Sequence, residues 1–185
     1  MALVSTEELA ARAGRIRLIL MDVDGVLTDG RIFHLPHPNG GLFETKGFDS
    51  QDGIALHWLH RFGILTGMIS GRSSEATAER GRQGHFKYVY QGNTEKLPLF
   101  QEILADSGLD PSQVSFLGDD FTDAILMRRV GLSIAVANAR PEVKECAHYV
   151  TRAPGGFGAL REAAEIVLKA QGHWETILRH YQIID

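Results

Sequence analysis

With Cys146 as its one thiol, the 185-residue chain cannot form an internal disulfide. No second thiol or His-rich spacing stands near it, so Cys146 reads as a small buried hydrophobe. No apolar run approaches the roughly 20 residues that a membrane-spanning helix needs. The opening stretch MALVSTEELAARAGRIR carries charges of both signs where a signal peptide needs an apolar centre. A Lys/Arg block is also missing and the formal charge is −4 at pH 7, which excludes the clustered basic footprint of a nucleic-acid surface. These absences predict a cytoplasmic protein with no nucleic acid and no membrane as partner, and they leave a small anionic substrate open. Internal repeats, low-complexity tracts and linkers are lacking too. At 44% hydrophobic residues, the length suits one core and a single domain over residues 1–185.

What the chain does have is alternation. Apolar runs of strand length occur at 16–23, 64–70, 86–90, 113–118 and 132–137, with segments of helical period at 51–62, 73–83, 94–108 and 121–130 between them. A short helix at PEVKECA, a last strand near HYVT and a helix over 157–170 follow. This order predicts an α/β fold, a three-layer Rossmann-like parallel sheet with right-handed crossovers. Ligands in such sheets bind beyond the carboxyl ends of the strands, and DVDG, SGR and GDD all stand where a predicted strand runs out. One segment breaks the pattern: GRIFHLPHPNGGLFETKGF has short alternating runs on either side of PNGG, which predicts an inserted β-hairpin at about 30–46. In the tail, about 172–185, Trp174, Ile177, Leu178 and Tyr181 follow helical spacing, and that apolar stripe needs a cover that a partner subunit could supply.

A strand that ends in Asp22 and Asp24, with Asp29 close behind, gathers like charges that raise one another's pKa unless a cation intervenes. Asp119, Asp120 and Asp123 form a second acidic cluster at another strand end. Hard oxygen donors of this kind favour Mg²⁺, which takes one or two carboxylates together with water and phosphate oxygens. Taken singly, either cluster could be a turn with N-caps. The combination points further, because DVDGVLTDG, SGRSS, Lys96 in TEKLPL and GDDFTD occur in one order along the chain.

That set resembles the haloacid-dehalogenase superfamily of phosphotransferases over nearly the whole chain. Only about two dozen residues separate the first motif from the helix at 51–62, too few for a large cap domain. With the hairpin, KGFDSQDGIAL, QGNTEK and PGGFGALREA, the sequence looks like the capless subgroup typified by the phosphatases of 3-deoxy-D-manno-octulosonate 8-phosphate (KDO 8-phosphate).

The resemblance implies a Mg²⁺-dependent phosphatase for an acidic sugar phosphate, KDO 8-phosphate first and a sialic-acid-type sugar 9-phosphate as the alternative. A non-catalytic oligomeric module associated with sugar-nucleotide synthesis is a reading from another class. In the enzymatic reading Asp22 is the nucleophile and Asp24 the general acid and base. Asp22, the Asp24 carbonyl and Asp119 hold the metal. Ser70 binds a phosphoryl oxygen, and Lys96 neutralises phosphoryl charge. Ser70 stands where the subgroup more often has Thr; either hydroxyl can donate. Gly71 and Arg72 are placed at the substrate, with a structural ion pair the other possibility for Arg72. Asp120 and Asp123 are expected to orient Asp119 and Lys96, or else to cap a turn. The subgroup also implies a homotetramer in which hairpins pack together and a neighbouring subunit covers each site, assembled here through the hairpin and the C-terminal tail.

Overall fold

The computed structural model describes residues 4–185. The first apolar run becomes β1 (Leu18–Met21), with all four residues buried. Covered on both faces, such a strand has no reason to alternate, so it reads as one continuous apolar stretch. It pairs in parallel with β4 (Leu65–Ile69) on one side and β6 (Val114–Gly118) on the other. β5 (Tyr88–Tyr90) extends the sheet beyond β4, while β7 (Leu132–Ala135) and β8 (Tyr149–Val150) extend it beyond β6. The resulting order is β5-β4-β1-β6-β7-β8, so the winding direction reverses between β5 and β6, with β1 at the centre. A doubly wound sheet opens its crevice at such a reversal.

Helices cover both faces. α1 (Thr6–Ala13), α2 (Ser50–Arg61) and α7 (Ala159–Ala170) pack together, and α4 (Lys96–Ser107), α5 (Phe121–Met127) and α6 (Pro141–Lys144) form a second packed group. α3 (Glu75–Gln83) connects β4 to β5. Local chemistry sets the helix ends. Asp49 accepts from the Gln51 N–H at 2.6 Å to start α2, Ser74 accepts from the Thr77 N–H at 3.2 Å to start α3, and Gly108, at φ 66°, closes α4 in the left-handed conformation. The interior is one apolar cluster in which Ile19, Leu20, Met21, Phe116 and Leu117 are fully buried. Each such side chain contributes roughly 1.5–3 kcal/mol. Among the described residues, no helix is long and apolar enough to cross a membrane.

Two features fall outside the main sheet. The hairpin forms as expected, with β2 (Phe33–Pro36) and β3 (Leu42–Thr45) paired antiparallel around the turn at His37–Gly41. It leaves Phe33, Leu35, Leu42 and Phe43 exposed. The tail packs in part on its own subunit. α8 (Trp174–His180) lies on its own subunit, with Ile177 buried, Trp174 edge-on to Trp58, and the Tyr181 hydroxyl accepting from the Trp58 indole N–H at 3.2 Å. His173 stacks on Phe62 beside them. Trp58 of α2 thus meets part of the stripe, a contact the spacing did not anticipate, while Tyr181 stays half-exposed. α1 was not anticipated either: its charged face hid a helix that Ser5 caps through the Glu8 N–H.

Candidate active site

The carboxyl ends of β1, β4 and β6 meet in a cleft of about 200 Å³ lined by Asp22, Asp24, Ser70, Gly71, Arg72, Thr94, Lys96, Asp119, Asp120 and Thr122. Every residue given a role at the site lines it except Asp123, which is buried behind Lys96, while Asp29 lies outside it. Backbone fit brings the loops so close. Gly25 has φ 94°, and a Cβ there would overlap the Asp119 carboxylate. Behind that turn, Asn138 donates to the Gly25 carbonyl at 3.0 Å and accepts from the Gly155 N–H at 2.6 Å, pinning the loop after β1 to the loop before α7.

Lys96 is the first residue of α4 and fully buried. A cation at a helix N-terminus opposes the helix dipole, and burial opposes it further. Two carboxylates offset both: Nζ lies 2.7 Å from Asp22 and 2.6 Å from Asp123. Burial works against the charge, but Asp123 and Asp22 outweigh it and the Lys96 pKa is raised. Asp123 spends its other oxygen on the backbone N–H groups of Asp119 and Asp120, at 2.9 and 3.2 Å, so it orients both Lys96 and the acidic loop. Asp120 behaves differently. It is exposed and accepts from the Phe121 N–H at 2.7 Å, so its side chain caps α5 instead of steering Asp119.

Asp119 carries the strongest sign that a cation belongs at this site. Burial first, then the charges of Asp123, Asp22 and Asp120, push its pKa up to about 8. Its Oδ1 is buried with no hydrogen-bond partner. Burial likewise raises Asp22 in spite of Lys96. Oxygen atoms of Asp22, Asp119 and Asp123 lie within 4.8 Å of one another, an all-oxygen donor set suited to a hard divalent ion. Ser70 is buried at the end of β4, and its Oγ accepts from the Arg72 N–H at 3.2 Å, which leaves its own proton free to donate into the cleft.

Arg72 is paired within the chain. Its guanidinium lies 2.8 Å from Glu44 on the hairpin, an ion pair within the chain, although the residue remains at the cleft edge. Sequence reasoning gave no role to Glu44 or to Lys46. Lys46 Nζ is buried and lies 2.7 and 3.0 Å from the two oxygens of Asp24. Its only signal was its place in KGFDSQDGIAL, at the foot of the hairpin.

Residues 65–154 match the model of the haloacid dehalogenase-like hydrolase family. The 3-deoxy-D-manno-octulosonate 8-phosphate phosphatase of Yersinia pestis is 40% identical over 169 residues, 91% of this chain and 88% of the relative. The chain belongs to the haloacid dehalogenase-like hydrolases. The crystal structure of a Yersinia pestis 3-deoxy-D-manno-octulosonate 8-phosphate phosphatase superposes on this hydrolase with a TM-score of 0.86 at 39% identity, covering 91% of this chain and 89% of that one. The Moraxella catarrhalis 3-deoxy-D-manno-octulosonate 8-phosphate phosphatase, solved with magnesium, phosphate and KDO, gives a TM-score of 0.89 at 33% identity over 96% of this chain and 99% of that one.

Proposed function

We propose that this hydrolase is a Mg²⁺-dependent phosphatase that cleaves the phosphomonoester of KDO 8-phosphate through an aspartyl-phosphate on Asp22. The observation that carries the chemistry is the buried Asp22–Lys96–Asp123 group beside the unpartnered oxygen of Asp119. Likeness over nine-tenths of the chain to phosphatases of that sugar phosphate supports the substrate.

The Asp22 carboxylate attacks phosphorus as the bond from phosphorus to the sugar oxygen breaks. Asp24 gives its proton to that departing oxygen. In the second half, Asp24 takes a proton from water while the water oxygen attacks phosphorus, releasing inorganic phosphate and restoring the Asp22 carboxylate. Ser70 donates to a phosphoryl oxygen, and Lys96 neutralises charge on the phosphoryl group. Mg²⁺, held by the Asp22 and Asp119 carboxylates and the Asp24 carbonyl, would supply charge neutralisation and orient the phosphate. Asp123 positions Lys96 and the Asp119 loop. Gly71 and Arg72 border the substrate, and a substrate carboxylate would compete with Glu44 for the Arg72 guanidinium.

The same reading includes a cytoplasmic homotetramer built through the exposed apolar hairpin and the C-terminal tail, whose Tyr181 and Ile183 stay exposed. Phosphate release with Mg²⁺ tests the function on KDO 8-phosphate, a sialic-acid-type 9-phosphate and an aryl phosphate, with Asp22→Asn as control. We expect a preference for KDO 8-phosphate and loss of turnover in a variant that still folds. Preference for the 9-phosphate would overturn the substrate, and no release from any ester would leave a non-catalytic module.

A further inference from the structure

Lys46 stands where an ordinary surface lysine would be expected, one residue past β3 on an exposed hairpin, yet its side chain is wholly buried. Burying an ammonium is costly unless its partners are fixed. Its partners are Asp24, gripped through both oxygens, and Glu44, 3.4 Å away. Glu44 is held in turn by Arg72 at 2.8 Å. The four side chains form a continuous ion chain from the hairpin to the cleft.

We propose that Lys46 is the positioning residue for Asp24: it aims the carboxyl at the leaving-group side of the cleft and holds it there. The inference rests on Asp24 being the proton donor. It follows from placement. Lys96 reaches Asp22 and Asp123 on the phosphoryl side, whereas Lys46 reaches Asp24, and each buried ammonium thus serves a different side of the cleft. Two contacts from one ammonium restrict the rotation of Asp24, and Glu44 keeps the ammonium from swinging away.

Leaving-group dependence separates this role from a structural one. A sugar alkoxide is a poor leaving group that needs a proton, while 4-nitrophenolate leaves without one. Lys46→Met, assayed as the full Mg²⁺-loaded chain, should lose roughly ten-fold or more in kcat/KM on KDO 8-phosphate, within the range general acid catalysis supplies. On 4-nitrophenyl phosphate it should stay within about three-fold of the unaltered protein. Lys46→Arg should recover part of the loss. If Lys46→Met does not fold, the ratio is read on Lys46→Gln, which keeps one N–H donor. Equal losses on both esters, or none, would overturn the proposal for Lys46. Asp24→Asn separates the two ideas: if it also lowers kcat/KM equally on both esters, the proton-donor reading fails, and if it alone discriminates in kcat/KM, only the role of Lys46 does. Should KDO 8-phosphate not be hydrolysed by the unaltered protein, the comparison is made on another primary alkyl phosphate.

Discussion

Two buried lysines enter one cleft from opposite kinds of scaffold. Lys96 begins a helix that packs on the central sheet, and its carboxylate partners stand directly after β1 and in the first turn of α5. Lys46 comes from a two-stranded hairpin whose own apolar side chains, Phe33, Leu35, Leu42 and Phe43, face outward. The phosphoryl-transfer half of the site is therefore as rigid as the core, while the leaving-group half depends on an appendage that the core does not hold. In the proposed mechanism, the phosphoryl chemistry draws on the first scaffold and the placing of Asp24 at the leaving alcohol on the second.

The largest expected effect breaks the core-borne half. Lys96→Met removes the cation between Asp22 and Asp123, and turnover should fall by about 10²–10³ on alkyl and aryl phosphates alike, because both pass through the same phosphoryl charge. Leaving two buried carboxylates unpaired should also lower stability, on the order of 3–5 kcal/mol. Steady-state kinetics on both esters and urea melts check the two parts. Unequal losses on the two esters would erase the division of labour between Lys96 and Lys46.

A second pair of variants sets the hairpin against the tail. Both elements carry apolar stripes in sequence, but Ile177 of the tail is buried within the subunit, whereas Leu42 of the hairpin is exposed. Ile177→Ala should cost about 2–5 kcal/mol and leave the sedimentation coefficient unchanged. Leu42→Asp, on an exposed arm, should shift sedimentation from tetramer toward smaller species with little change in subunit stability. A tetramer that survives Leu42→Asp but dissociates with Ile177→Ala would reverse the assignment of the two surfaces.

The same contrast explains what could be read in the chain. β1, β4 and β6 were visible because strands buried on both faces are uninterrupted apolar runs, and Asp22, Ser70 and Asp119 follow them directly. Lys96 was legible as part of a motif, although nothing local reveals that it is buried. Lys46 and Glu44 were not legible, since a charged residue at the end of an alternating run is the normal signature of an edge facing water; only the fold of the hairpin over Asp24 turns them inward. Arg72 was correctly placed at the cleft edge but its partner was missed for the same reason. For the tail, helical spacing showed a stripe in need of cover, while the choice between a neighbour and Trp58 depended on where α2 and α7 bring the chain.

The smallest effect concerns how the framework behind the site is held. Asp52 of α2 is buried and accepts from the Arg161 N–H at 2.7 Å, so it caps α7 from another helix and steadies the loop that presses on Gly25. Burial outweighs the Arg161 and Gly158 N–H groups and raises its pKa from 3.8 to about 6. Between these values an unfolded chain releases the proton and the folded chain keeps it. The contribution of Asp52 to stability is thus complete below pH 4 and is lost as pH rises through 6. Two units correspond to about 3 kcal/mol at most. Asp52→Asn cannot titrate, so the stability difference between it and the unaltered protein should drift in favour of the variant from pH 4 to pH 7. Shifts at Asp22 and Asp119 are common to both proteins and cancel in that difference. Urea melts at the two pH values measure it; a constant difference would mean that the carboxyl cap is ionised throughout and that its two N–H donors, not burial, dominate.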